Sequence, residues 1–279
     1  MTEPRYVTGL VQSEVASDGA GVKLRRSIGT GHLSELDPFL LLDNFGTENP
    51  DDYIAGFPSH PHRGFETVTY MIDGQMRHKD STGAEGVLGP GSVQWMTAGR
   101  GIVHSEMPEQ KEGRMSGFQL WVNLPASDKM CDPRYQNIDP EDVPIVTLDK
   151  AVLHVLAGEV EGLDGPVAGP VTGVATDPIY LDITLSPGGS YTHAIPEGHT
   201  AFAYVFDGAV EIEGERVEKD HLAILSDGDS VTLQSAKGGR AILVAGRPLG
   251  EPVARYGPFV MNTYAEIQQA VHDFQSGNF

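Results

Sequence analysis

Cysteine is almost missing from this chain. Cys131 is the single one in 279 residues, so no disulfide can form within the chain, and a reducing compartment suits it. Basic residues are few, with 19 Lys and Arg against 39 Asp and Glu, for a formal net charge of −20. A surface this acidic repels phosphate backbones, which argues against direct binding to nucleic acid or to an anionic membrane. No apolar run approaches the ~18 residues that span a bilayer. The opening MTEPRYVTGLVQSEV has no basic flank leading into an apolar stretch, so no secretory signal is expected. These absences predict a soluble protein of the cytoplasm.

Glycine and proline, by contrast, are plentiful at 34 and 19, with no low-complexity stretch. Short alternating runs sit between them. FETVTYMI (65–72), GSVQWMTA (91–98) and SGFQLWVNL (116–124) read as strands, and the pattern resumes in AVLHVLAGEV, IYLDITLSPGGSY and RAILVAGRPL. Between the two sets lies a polar, proline-bearing stretch that reads as a linker. The halves echo one another: ETVTYMIDGQMRH and AFAYVFDGAVEIEG each carry an aromatic-rich strand into an Asp-Gly that predicts a hairpin turn. LGPGSVQWM and LSDGDSVTL each bring a glycine and a Ser-Val pair to a strand start. Duplication of a small all-β domain explains both echoes. The expected division is a first barrel over 1–130, a linker over 131–145, a second barrel over 146–250 and a tail over 251–279. In that tail, Thr263 and Glu266 have capping-box spacing, Ile267, Ala270, Val271 and Phe274 form one apolar stripe, and Gly277 is a stop. One amphipathic helix lying on a barrel is expected there.

The chain has ten histidines, and SHPHRGFETV (59–68) sets two of them either side of a proline. On a strand, residues i and i+2 share a face about 6.6 Å apart, so His60 and His62 can both reach one ion. Pro61 cannot donate a ladder hydrogen bond and so belongs at a strand start or a sheet edge. Some forty residues on, TAGRGIVHSEMP repeats the spacing as His104 and Glu106. Two such strands in one barrel can surround a single metal with three neutral imidazoles and a carboxylate. Iron(II), manganese, nickel, copper and zinc all accept that set. Phe57, Phe65, Met76, Trp95, Met96, Phe118 and Trp121 are candidates to line an apolar cavity beside it, although strand alternation turns about half of them elsewhere. His78, in GQMRHKD, is expected to face water.

At these residues the chain resembles the cupin superfamily. Gly56, His60, His62, Glu66 and Gly74 follow its first motif, with shortened spacing at the start, and Gly101 and His104 follow its second. The fuller resemblance is to the pirin family, carried nearly end to end by RRSIG, LDPFLLLDNF, FPSHPHRGFETVTY, GSVQWMTAGRGIVHSEMP, FQLWVNL and GPFVMNT. The resemblance implies an all-β fold of two tandem cupin (jelly-roll) barrels, generally monomeric, with one metal, most often Fe(II), in the first. It implies the ligands His60, His62, His104 and Glu106, with Glu66 a neighbour of the site. The second half departs from any ligand pattern: His193 and His199 stand six apart, so that barrel is expected to be a metal-free scaffold.

The resemblance also implies quercetin 2,3-dioxygenase activity, in which a flavonol and O2 yield a depside and carbon monoxide. Glu106 then serves as ligand and as general base for the flavonol 3-hydroxyl. A different class of function is implied by the family's eukaryotic members, as iron-dependent, redox-responsive regulators that bind protein partners such as transcription factors. The nearest basic cluster here is KLRR (23–26), too short for a nuclear signal, which with the acidity favours a cytoplasmic enzyme or a prokaryotic regulator.

Overall fold

The protein is described by a computed structural model over residues 3–279. It divides into two compact units. One takes residues 15–30, 34–140 and 249–279, and the other takes 31–33 and 141–248 with the chain up to Glu14. Both are antiparallel β structures, and among the described residues one α-helix forms, at Tyr264–Ser276. Among the described residues no helix is long and apolar enough to cross a membrane.

The first unit has a seven-stranded and a four-stranded sheet. The expected strands form at Phe65–Asp73, Val93–Thr97 and Met115–Asn123, all in the larger sheet. Their near-continuous burial reflects packing on both faces, as with the neighbouring Phe39–Thr47, whose FLLLD run is wholly buried. The smaller sheet runs Phe57–His62, Ile102–Pro108, Met76–Asp80, Glu85–Leu88. Leu24, Phe45, Tyr53, Met71, Met76, Leu88 and Met115 form an apolar cluster in this unit.

The tail completes this unit. Thr263 and Glu266 make the expected capping box, and Gly277 ends the helix in the left-handed region at φ 75°. Ile267 and Ala270 are buried against Ala254, Phe259 and Met261, with Val271 packed alongside, while Phe274 is 40 % exposed. The helix reaches the histidine stretch through Arg63, which follows His62. Its Nη1 lies 2.8 Å from Asp273 Oδ2, its guanidinium stacks 4.5 Å from the Phe279 ring centroid, and its Nε donates to the Arg100 carbonyl. Gly64, next along, has φ +86°, and a Cβ there would lie 1.9 Å from the Val260 carbonyl oxygen, so only glycine lets the tail approach.

Several boundaries differ from the sequence expectation, each because pairing is nonlocal. Strand Val7–Gln12 pairs with His221–Leu225, so the start of the chain belongs with the second half. Arg5 anchors it there, fully buried, donating to the carbonyls of Gly228, His199, Ser226 and Pro196 at 2.8–2.9 Å. The stretch expected as a linker, 131–145, contains strand Arg134–Ile138, which pairs with Val93–Thr97 as an edge of the first unit. Neither Asp-Gly closes a hairpin. After Gly74 the chain leaves one sheet for the other, and strand Thr200–Ile212 runs straight through Gly208, which takes φ 63° just past a β-bulge between Val205 and Asp207.

Candidate metal centre

Strands Phe57–His62 and Ile102–Pro108 are antiparallel neighbours, with His60 opposite His104 and Ile102 opposite His62. Phe57–His62 is the sheet edge, which is where Pro61 costs no ladder bond. The alternation of the second strand turns Ile102, His104 and Glu106 inward together. Three imidazoles thereby meet. Ring centroids are 4.7 Å apart for His60–His62, 4.4 Å for His60–His104 and 4.9 Å for His62–His104. One nitrogen from each lies within 4.8 Å of the others, so the three could hold a metal ion.

The donors fit such an ion on several counts. The Pro58 carbonyl is 2.8 Å from His60 Nδ1 and accepts its proton, which leaves the Nε2 lone pair facing His62 Nε2 at 3.0 Å. Two nitrogens at right angles on one ion, with bonds of ~2.1 Å, stand about 3.0 Å apart. His104 Nε2 is buried without any hydrogen-bond partner. Burial, reinforced by the neighbouring imidazoles, pushes His62 and His104 well below the usual histidine range, so both rings are neutral with a lone pair to give. A carbonyl of Pro258 opposes that shift weakly at His62.

Glu106 is buried on the same strand, yet its carboxylate stands outside the three-imidazole group. Its Oε1 accepts from the Thr69 hydroxyl at 3.0 Å, and Thr69 in turn meets Gln119 Oε1 at 2.7 Å. Thr69 has one proton; both contacts are satisfied when Gln119 presents its NH2 and the hydroxyl donates to Glu106. Glu66 is also buried and accepts from Thr97 Oγ1 at 2.6 Å, with its pKa raised by burial. It too stands outside the histidine group.

His78 does not face water. It is 2 % exposed, with Nδ1 3.5 Å from His104 Nδ1 and Nε2 3.0 Å from the Tyr135 hydroxyl. The reason is register: Met76–Asp80 pairs with the other side of Ile102–Pro108, putting His78 opposite Glu106 and Asp80 opposite His104.

A cavity of about 550 Å3 opens onto the centre, lined by His60, His62, Thr69, Glu106 and Gln119 on the polar side. Of the aromatic and methionine candidates, Phe57, Met76 and Trp121 line it; Phe65, Trp95, Met96 and Phe118 are buried away from it. Leu24, Leu41 and Phe45 complete the apolar wall, and Arg255 lies 4.8 Å over the Trp121 ring. Leu41 and Phe45 escape sequence reasoning because their strand, Phe39–Thr47, is buried on both faces along its apolar run, so no alternation tells inside from outside.

In the second unit the histidines stand apart. His199 lies 3.8 Å from Asp177, and His193 Nδ1 is 3.1 Å from the Tyr191 hydroxyl. Burial lowers the His193 pKa to about 4. An unfolded chain binds that proton near pH 6.5 and the folded one only near 4, so stability falls as pH drops through this window. The loss should approach roughly 3 kcal/mol below pH 4. Urea unfolding from pH 7 to 4 should show it, and His193→Leu should flatten that part of the profile.

The chain is similar to known proteins over nearly its whole length. The pirin family model matches residues 21–122, and the model of the pirin C-terminal cupin domain matches residues 180–279. A Pseudomonas aeruginosa protein, assigned provisionally by its name to the quercetin 2,3-dioxygenases, is 50 % identical over 99 % of both chains. Human pirin is 44 % identical over 99 % of this chain and 94 % of its own. The crystal structure of a quercetin 2,3-dioxygenase from Acinetobacter baumannii superposes with a TM-score of 0.91, at 38 % identity and 99 % coverage of both chains.

Proposed function

This chain belongs to the pirin family, and we propose that it is a metal-dependent dioxygenase that cleaves a flavonol such as quercetin with O2, releasing carbon monoxide. The observation that carries this reading is the three-imidazole group beside an apolar cavity of about 550 Å3, within the range that encloses a small aromatic ligand. In this reading His60, His62 and His104 hold the metal, with Glu106 as the fourth ligand, and the metal is Fe(II) in the cytoplasm. Manganese, nickel, copper and zinc accept the same donors, because availability and geometry decide among them. The bound metal supplies Lewis acidity that favours the flavonol's enolate over its neutral 3-hydroxyl form.

The chain's own residues do the rest. Phe57, Met76 and Trp121 present apolar faces to the flavonol rings and keep water from them. Trp121 is braced between Phe65, at 4.4 Å between centroids, and the Arg255 guanidinium. Glu106 takes the proton of the 3-hydroxyl on its carboxylate, and the Thr69–Gln119 pair holds that carboxylate in place beforehand. Quercetin and O2 together contain the atoms of the depside and of CO, so no external reductant enters. Oxygen uptake by iron-loaded protein given quercetin tests the reading. It should be saturable in quercetin, with one CO released per O2. No uptake from fully loaded protein would overturn it and turn attention to the regulatory role.

A further inference from the structure

We propose that His78, Tyr135 and Asp80 are positioning residues that fix the tautomer of His104, keeping its Nε2 lone pair free for the metal. The inference rests on the metal-centre reading above, but the direction of the relay follows from its far end. The Asp80 carboxylate is anchored at a turn: Oδ1 accepts from Thr82 N at 2.8 Å, Thr82 Oγ1 at 2.7 Å and Ala84 N at 3.0 Å. Its Oδ2 is buried, 3.9 Å from His78 Nε2, and has no partner within hydrogen-bond distance in the static structure. The Tyr135 hydroxyl lies 3.0 Å from that same His78 nitrogen. Burial raises the Tyr135 pKa and Asp80 raises it further, while the same hydroxyl helps hold Asp80 low against its burial.

A carboxylate accepts and does not donate. The buried carboxylate 3.9 Å away favours a proton on His78 Nε2, which then donates to the Tyr135 oxygen at 3.0 Å. His78 then carries its proton on Nε2, and its Nδ1 is a bare lone pair. That lone pair faces His104 Nδ1 at 3.5 Å, a contact that attracts only if His104 carries its proton on Nδ1. His104 Nε2 is then unprotonated, and it is the nitrogen found buried without a partner. Each link has one direction. A ligand imidazole oriented through its other nitrogen is a general device for setting ring position and basicity. Here a second histidine and a tyrosine stand between ligand and carboxylate.

Cobalt(II) alone is the probe, titrated into metal-free full-length protein and followed by its d–d absorption and a competing chelator. His78→Phe keeps the volume but removes the acceptor, and it should weaken cobalt binding by about 10–100-fold. His78→Asn places Oδ1 where the His78 Nδ1 was, and it should stay within about threefold of wild type. The exchangeable, paramagnetically shifted proton resonance of His104 Nδ1–H should persist in wild type and H78N and vanish in H78F. Tyr135→Phe, which deletes one oxygen, should weaken binding and speed exchange of that proton, and it carries the test if H78F does not fold. Folded H78F and Y135F with wild-type affinity and an intact resonance would overturn the relay alone. Wild-type protein that takes up no cobalt would overturn the metal-centre reading and the relay with it.

Discussion

His104→Ala should leave the protein folded, reduce bound metal from one per chain to nearly none, and lower dioxygenase turnover at least about a thousandfold. The physical case is the donor count. Three imidazoles meet, and Glu106 stands outside their group, so the centre is assembled on the histidines before any carboxylate joins them. Loss of a partner that only orients a ligand costs about 10–100-fold in affinity or activity, and loss of the ligand itself costs more. His104 is also the ring with a buried, partnerless Nε2, so its removal costs the folded state one long contact, that of Nδ1 with His78 Nδ1 at 3.5 Å. A metal bound at a thousand times its Kd stabilises the native protein by about 4 kcal/mol. Metal addition should therefore raise the melting temperature of wild type and leave that of H104A unmoved. Elemental analysis after dialysis and paired thermal melts check both parts. An H104A protein with full metal content would remove His104 from the ligand set.

Glu106→Gln should separate binding from chemistry. The amide keeps the shape and an acceptor oxygen for Thr69, but it cannot take a proton from the substrate. A positioned general base contributes typically ~10²–10⁴ to rate, and turnover should fall by about that factor. Metal content should fall far less than in H104A, because His60, His62 and His104 are untouched. The residual rate should rise with pH as the flavonol's own 3-hydroxyl ionises and the missing base ceases to matter, whereas wild type should show no such dependence in the same range. Steady-state rates from pH 6 to 9 with metal analysis on each preparation make the comparison. Wild-type turnover in E106Q would mean that the proton leaves by another route.

The two clearest features of the site were legible because they are local. His60 with His62, and His104 with Glu106, obey the strand period of two, and Pro61 marks an edge strand. The helix was equally plain from Thr263, Glu266 and the apolar stripe. What escaped is what local pattern does not encode. Met76, His78 and Asp80 alternate inward on one strand, but two of the three are polar, and hydrophobic periodicity does not register an interior built for chemistry. Tyr135 lies in a stretch whose prolines and charges read as a linker, although its strand pairs with Val93–Thr97 and its hydroxyl reaches His78. Arg255 and Arg63 owe their places to a tail that returns from more than a hundred residues away. Asp-Gly marked real special backbone at Gly74 and Gly208, with positive φ at both, yet one is a crossing between sheets and the other lies inside a strand just past a bulge.

The account stands most directly on one titration. Metal-free protein is loaded with iron(II) in steps, without oxygen, and each sample is given quercetin and air while CO release is timed. The rate should rise linearly from zero and level off at one iron per chain, with H104A flat throughout. Carbon monoxide released at a wild-type rate before any iron is added would place the reaction outside the three-histidine centre and contradict the account.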